Sequence, residues 1–154
     1  MWQTAAALEI YFISGMEIMM SQLKCDFKVV GPVQTNCYFL SNTDTRECVI
    51  VDPGEEAGKI ADFIEKKELK PIAILLTHGH FDHIGAVDEL RNRYGIKVYA
   101  AAAEKETLEN PDINLSSQFG GGYTVKADEF LNDGQEIELL GEKVRCLLTP
   151  GHTK

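Results

Sequence analysis

Cysteine is scarce in this chain and too widely spaced for a metal knuckle. Cys25, Cys37, Cys48 and Cys146 are the four among 154 residues, and no Cys-x-x-Cys pair occurs. Structural zinc draws on closely spaced thiolates, and small secreted scaffolds are denser in cysteine, so neither is expected. Each cysteine stands in a stretch that reads as a strand, and four buried free thiols in a reducing cytoplasm are the expectation. Long apolar runs are missing too. Residues 1–20 contain Ala5-Ala6-Ala7-Leu8 and Ile10-Tyr11-Phe12-Ile13, but Glu9 and Glu17 interrupt them and no Lys or Arg precedes Lys24. A membrane span needs about 20 apolar residues and a secretory signal needs a basic start, so neither is expected and no membrane partner follows. Met16, Met19 and Met20 follow closely, so residues 1–22 read as a poorly ordered extension, and the residues ahead of these methionines as an artefact of start-site choice. N-terminal sequencing of natively expressed protein tests that reading, and Met1 or Trp2 at the mature terminus would overturn it.

A basic surface is also lacking. The formal net charge is -9, which repels phosphate backbones, so the expected partner is a small-molecule substrate and not nucleic acid. Hydrophobic residues at 44% and charged residues at 25% are the balance of one globular domain, placed at residues 23–154.

Within that domain the pattern is regular. Cys25–Val30, Asn36–Leu40 and Glu47–Val51 read as strands, with Gly31-Pro32, Ser41–Asp44 and Asp52-Pro53-Gly54 as breaks. Ile60, Phe63 and Ile64 recur at helical spacing within Ala57–Lys67. Ile72–Leu76 is a continuous apolar run, as in a strand buried on both faces. A helix is expected over Ile84–Tyr94 with Gly95 closing it, then a strand at Lys97–Tyr99 and a short helix over Ala101–Leu108. Ser116–Gly122 reads as a loop, and Gln135–Leu140 with Lys143–Leu148 as a hairpin turning at Gly141-Glu142. Strands in a run, followed by strands alternating with helices, predict an α/β (α+β) fold with a mixed sheet covered by helices.

Histidine is as rare as cysteine but is not scattered. His78, His80 and His83 fall within six residues, and the fourth, His152, sits in Thr149-Pro150-Gly151-His152 after the other apolar strand. Imidazole is a ligand of choice for zinc and related divalent ions. Alternation in extended chain puts His78 and His80 on one side, while Asp82 and His83 project from the turn into the helix. Gly79 suits a close approach of backbone to metal, and Phe81 suits an anchor for the loop. Asp82 alone could be the N-cap of the following helix. Three histidines and an aspartate in six residues favour a metal site.

Thr77-His78-Gly79-His80-Phe81-Asp82-His83 resembles the T-H-x-H-x-D-H signature of the metallo-β-lactamase superfamily. Asn36-Cys37-Tyr38, Val51-Asp52-Pro53-Gly54 and Thr149-Pro150-Gly151-His152-Thr153 flank it in the family's order. The resemblance runs from about Cys25 to the end and is closest to the small glyoxalase II-like hydrolases. It implies a four-layer αββα sandwich and a first metal on His78, His80 and His152. Asp82 and His83 are implied as part of a second metal site, with Asp82 also orienting the attacking water, and Asp52 as a neighbour that orients the ligand loop. The implied cofactor is zinc, one or two ions, with iron or manganese as alternatives. The implied chemistry is hydrolysis of a thioester or ester, such as an acylglutathione, by a metal-bound hydroxide. No G-x-S-x-G offers a competing nucleophile.

Family members continue beyond the last motif with the second half of the sandwich, which brings an aspartate shared by both ions and a further histidine. Only Thr153 and Lys154 follow His152 here. A C-terminally truncated domain is therefore expected, with uncovered sheet edges open to self-association. The non-enzymatic alternative is a weak or inactive pseudo-hydrolase holding at most one ion.

Overall fold

The computed structural model describes residues 22–119 and 121–153. The expected extension at 1–22 thus lies outside the described residues except for Gln22, whose backbone and side-chain oxygens both accept from Thr43.

Six strands form one mixed sheet. β1 (Leu23–Val30), β2 (Thr35–Asn42) and β3 (Glu47–Val51) pair antiparallel in that order. β4 (Lys70–Leu76), β5 (Lys97–Ala101) and β6 (Glu129–Leu131) extend it in parallel. The crossover from β3 to β4 is the helix α1 (Ala57–Lys66), whose Ala57, Ile60, Ala61 and Ile64 form a buried stripe. Burying such a branched side chain contributes about 1.5–3 kcal/mol, which outweighs any local propensity. The crossover from β4 to β5 is helical too, but it breaks. α2 (Phe81–Ile84) stops at Gly85, and α3 begins at Val87 and ends at Tyr94. The single helix expected over Ile84–Tyr94 is interrupted because Ala86 N donates to Pro53 O at 2.9 Å. Gly85 also packs so tightly on Gly54 O that a Cβ there would lie 2.2 Å from it.

Both helical crossovers lie on one face, over a core that includes Phe39, Ile50, Ile74, Val87 and Leu90. The other face carries Val49, Val51, Ala73 and Leu75 and is covered by a hairpin of β7 (Glu136–Leu139) and β8 (Glu142–Arg145). β4 is therefore buried on both sides, as its apolar run predicts. The hairpin turns at Leu140-Gly141, one residue earlier than expected, with both residues at positive φ (58° and 79°). β8 ends at Arg145, and the run to Leu148 is irregular chain held by Leu148 N on Asp133 Oδ1.

Other details differ from the sequence reading. The expected helix at Ala101–Leu108 is a 3-10 turn (Ala102–Glu104) leading into α4 (Lys105–Glu109), and the loop at Ser116–Gly122 contains one helical turn, α5 (Ser116–Phe119). β6 has no periodic signature. It docks because Asp128 takes Val98 N on its carboxylate and gives its own N–H to Val98 O. All four cysteines are free thiols, but Cys25 is exposed on β1, contrary to expectation. Phe27 and Val29 on β1, Val33 in the turn that follows and Tyr38 on β2 are exposed as well. Among the described residues, no helix is long and apolar enough to cross a membrane.

β3, β4 and β5 run parallel, so the segments leaving Val51, Leu76 and Ala101 emerge at one edge of the sheet. Loops at that edge are exposed while the strands beneath hold them still.

Candidate metal centre

Asp52 ends β3 in the left-handed region (φ 51°), buried at 4% exposure. Its Oδ1 accepts Thr77 N at 2.8 Å and its Oδ2 accepts Thr77 Oγ1 at 2.6 Å, which clamps the chain as it leaves β4. Thr77 Oγ1 also lies 3.1 Å from His78 Nδ1. The hydroxyl proton is spent on Asp52, so towards His78 the oxygen can only accept. That places the imidazole proton on Nδ1 and a lone pair on Nε2. His78 is 1% exposed, and its Nε2 has no hydrogen-bond partner among the described residues. An unpaired buried acceptor costs about 1–3 kcal/mol, which a bound cation would offset.

The other two imidazoles close on the same point. His80 Nδ1 lies 3.1 Å from His152 Nε2 across a separation of 72 residues. The three ring centroids stand 4.7–4.8 Å apart with the rings edge-on, and one nitrogen from each falls within 4.8 Å of the others. Tetrahedral nitrogens about 2.0–2.1 Å from zinc would be about 3.4 Å apart, so small side-chain rotations suffice. Burial first, and then the neighbouring imidazoles, push His78 down to about 2 and lower His80 as well, keeping both neutral as ligands must be.

Asp82 and His83 lie beside this trio. The His83 ring lies 4.0 Å from the His78 ring, tilted by 52°, and its Nε2 is 3.5 Å from Asp82 Oδ2. Its Nδ1 is 3.0 Å from Asp52 Oδ2, within ion-pair distance. Burial opposes a charged His83, yet Asp52 and then Asp82 outweigh it and raise its pKa. The N-cap alternative for Asp82 fails. His80 holds the N-cap position of α2, and the Asp82 carboxylate instead accepts from Thr35 Oγ1 at 2.8 Å.

Gly79 also packs tightly on α4. A Cβ there would meet Leu108 N at 3.0 Å and Thr107 Cβ at 3.1 Å on α4. Phe81 does anchor the loop. Its N–H donates to Asn114 O, its carbonyl accepts from Tyr123 Oη, and its ring stacks on Phe119 at 4.8 Å. Two neighbours escape the sequence reading: Thr35, at the start of β2, and Glu104, whose carboxylate accepts from Gly79 N and Thr153 Oγ1. Neither belongs to a ligand pattern, since an isolated Thr or Glu carries no spacing.

A mixed α/β sheet with nitrogen donors gathered at its loop edge defines a class of protein suited to a divalent ion. The chain belongs to the metallo-β-lactamase superfamily, whose family model matches residues 30–154. It is 44% identical over 126 residues to a probable metallo-hydrolase, YqgX, of Bacillus subtilis (strain 168), covering 80% of this chain and 59% of that protein. It is 35% identical over 121 residues to a hydroxyacylglutathione hydrolase of Serratia proteamaculans (strain 568), covering 78% of this chain and 41% of that one. Among solved structures, the BLEG-1 B3 metallo-beta-lactamase superposes with a TM-score of 0.77 at 41% identity, covering 84% of this chain and 63% of that chain. The chain spans less than two thirds of the length of each of these relatives.

Proposed function

We propose that the protein acts in the metal-dependent hydrolysis of a thioester or ester, in the manner of a hydroxyacylglutathione hydrolase. The observation that carries this reading is the buried, unpartnered Nε2 of His78 beside the ligand nitrogens of His80 and His152. An all-nitrogen set of this kind suits zinc, whereas the carboxylate–imidazole pair Asp82 and His83 would also accept iron or manganese. A bound divalent ion would supply Lewis acidity and acidify a coordinated water. The chain's own part is to hold the donors. Asp52 orients Thr77, and through it the His78 tautomer, while Thr35 and His83 fix the Asp82 carboxylate, which would orient water for attack. Similarity to the Serratia enzyme supports a thioester substrate, and buried thiols at Cys37 and Cys48, both raised in pKa by burial, suit a reducing cytoplasm.

A second reading is a chain that holds one ion and turns over slowly or not at all. It is favoured by the second donor set, which comprises only Asp82 and His83 among the described residues. Metal analysis with a thioester hydrolysis assay separates the two. Thioester cleavage above background that His78→Ala abolishes supports the first. One zinc per chain without turnover supports the second, and a chain that takes up no metal refutes both.

A further inference from the structure

Glu104 lies on the 3-10 turn after β5, outside every motif visible in the sequence, and is 3% exposed. Carboxylates are seldom buried so deeply without a partner that needs them. Here the two oxygens are divided between two chain segments. Oε2 accepts Gly79 N at 2.9 Å, between His78 and His80. Oε1 accepts Thr153 Oγ1 at 2.5 Å, next to His152.

The two segments differ in how they are held. His78 and His80 follow directly from β4, where Asp52 and the packing of Gly79 on α4 fix the backbone. His152 follows irregular chain after β8, is exposed, and is preceded by Gly151 at φ 144°. A ligand on such a segment must be ordered when the ion binds, and that ordering reduces affinity. A tether already in place removes much of the penalty.

We propose that Glu104 is a positioning residue for the metal centre, one that sets the His152 segment against the His78–His80 segment by holding Thr153 with one carboxylate oxygen and Gly79 with the other. This role rests on the three-histidine metal site proposed above. Loss of an outer partner of this kind lowers metal affinity by about 10–100-fold.

The test is competition of the full chain with a chromophoric chelator for Zn2+, comparing the parent with Glu104→Gln, Thr153→Val and the double variant. Melting in EDTA and the visible spectrum of the Co2+ form are recorded alongside. Each single variant is expected to bind zinc about 10–100-fold more weakly, and the double variant no more weakly than Glu104→Gln. Metal-free stability, read from melting in EDTA, should fall by less than the free energy of zinc binding does, because the tether's hydrogen bonds count with and without the ion while its placing of His152 counts only when the ion is bound. The Co2+ ligand-field bands should shift or weaken. Zinc affinity within twofold of the parent in Glu104→Gln would overturn the role. So would a loss of affinity matched by an equal fall in metal-free stability, which marks a folding contact only. If Glu104→Gln does not fold, Thr153→Val decides by the same criteria. A parent that binds no zinc, or binds it regardless of His78→Ala, refutes the metal centre and this role with it. A parent that binds through His78 while both variants match it refutes this role alone.

Discussion

Replacing Asp52 with alanine removes a single carboxylate that serves both halves of the ligand motif. Two hydrogen bonds from Thr77, at 2.8 and 2.6 Å, lose their acceptor, and the charge 3.0 Å from His83 Nδ1 disappears. Hydrogen bonds to a charged group contribute about 1.5–3 kcal/mol each, so the gross loss is about 3–6 kcal/mol. Removing a buried charge recovers part of that, which leaves a net destabilisation of about 2–4 kcal/mol. Against a total of about 5–15 kcal/mol for a domain, this is a large fraction. Urea denaturation in EDTA should show it as a lower midpoint at unchanged slope. An NMR titration of the metal-free protein reads the second effect. In the parent, Asp52 and Asp82 raise His83, so its contribution to stability is present below the unfolded value near 6.5 and fades as pH rises through the folded value. Without Asp52, burial outweighs Asp82 and His83 titrates lower than in the parent. Asp52→Asn keeps one acceptor for Thr77 and should be intermediate in stability while lowering His83 as alanine does. A loss below about 1 kcal/mol together with an unmoved His83 would show that Asp52 does not organise the motif.

Three further outcomes follow from the same geometry. Gly54→Ala would put a Cβ 1.8 Å from Asp82 O, so it should displace α2, cost more than the about 1–3 kcal/mol of ordinary overpacking, and weaken zinc binding. Normal stability and metal content in that variant would contradict the packing. Metal-free protein should lose stability as pH falls below about 6.5, since His78 and His80 are depressed in the fold and the unfolded chain takes up the protons first. The loss through His78 is about 2 kcal/mol between pH 6.5 and 5, partly offset by His83, and denaturation of His78→Asn at the two pH values should show a smaller difference. A thiol reagent should modify Cys25 quickly in native protein and Cys37, Cys48 and Cys146 only on unfolding, and rapid reaction of more than one thiol would show that the buried set is not buried.

The close meeting of the Asp52–Gly54 and Phe81–Gly85 segments explains why the ligand motif is not a free loop. Pro53 O holds Ala86 N, Gly54 lies under the Asp82 carbonyl, and Gly85 under the Gly54 carbonyl. This contact also splits the expected helix at Gly85. A sequence pattern of Val87, Leu90 and Arg91 reports only the face of the continuing helix. It carries no information about an amide drawn away by a partner more than 30 residues earlier.

What the sequence determined by itself was whatever depends on local period or on rare residues in a short span. The apolar run Ile72–Leu76 read as a strand buried twice, and the stripe Ile60 and Ile64 as the inner face of a helix, and both are so. The cluster His78–His83 favoured a metal site over a structural role, because imidazoles that close together repel as cations and serve well as neutral ligands. Tertiary structure decided the rest, where the contact is long-range and made through backbone or lone polar groups. It brought His152 within 3.1 Å of His80. It chose the tautomer of His78 through Asp52 and Thr77, and it turned Asp82 away from a cap and towards Thr35. It also buried Glu104 between the two ligand segments. Such contacts leave no spacing in the chain, because a hydrogen bond asks only that donor and acceptor meet in space.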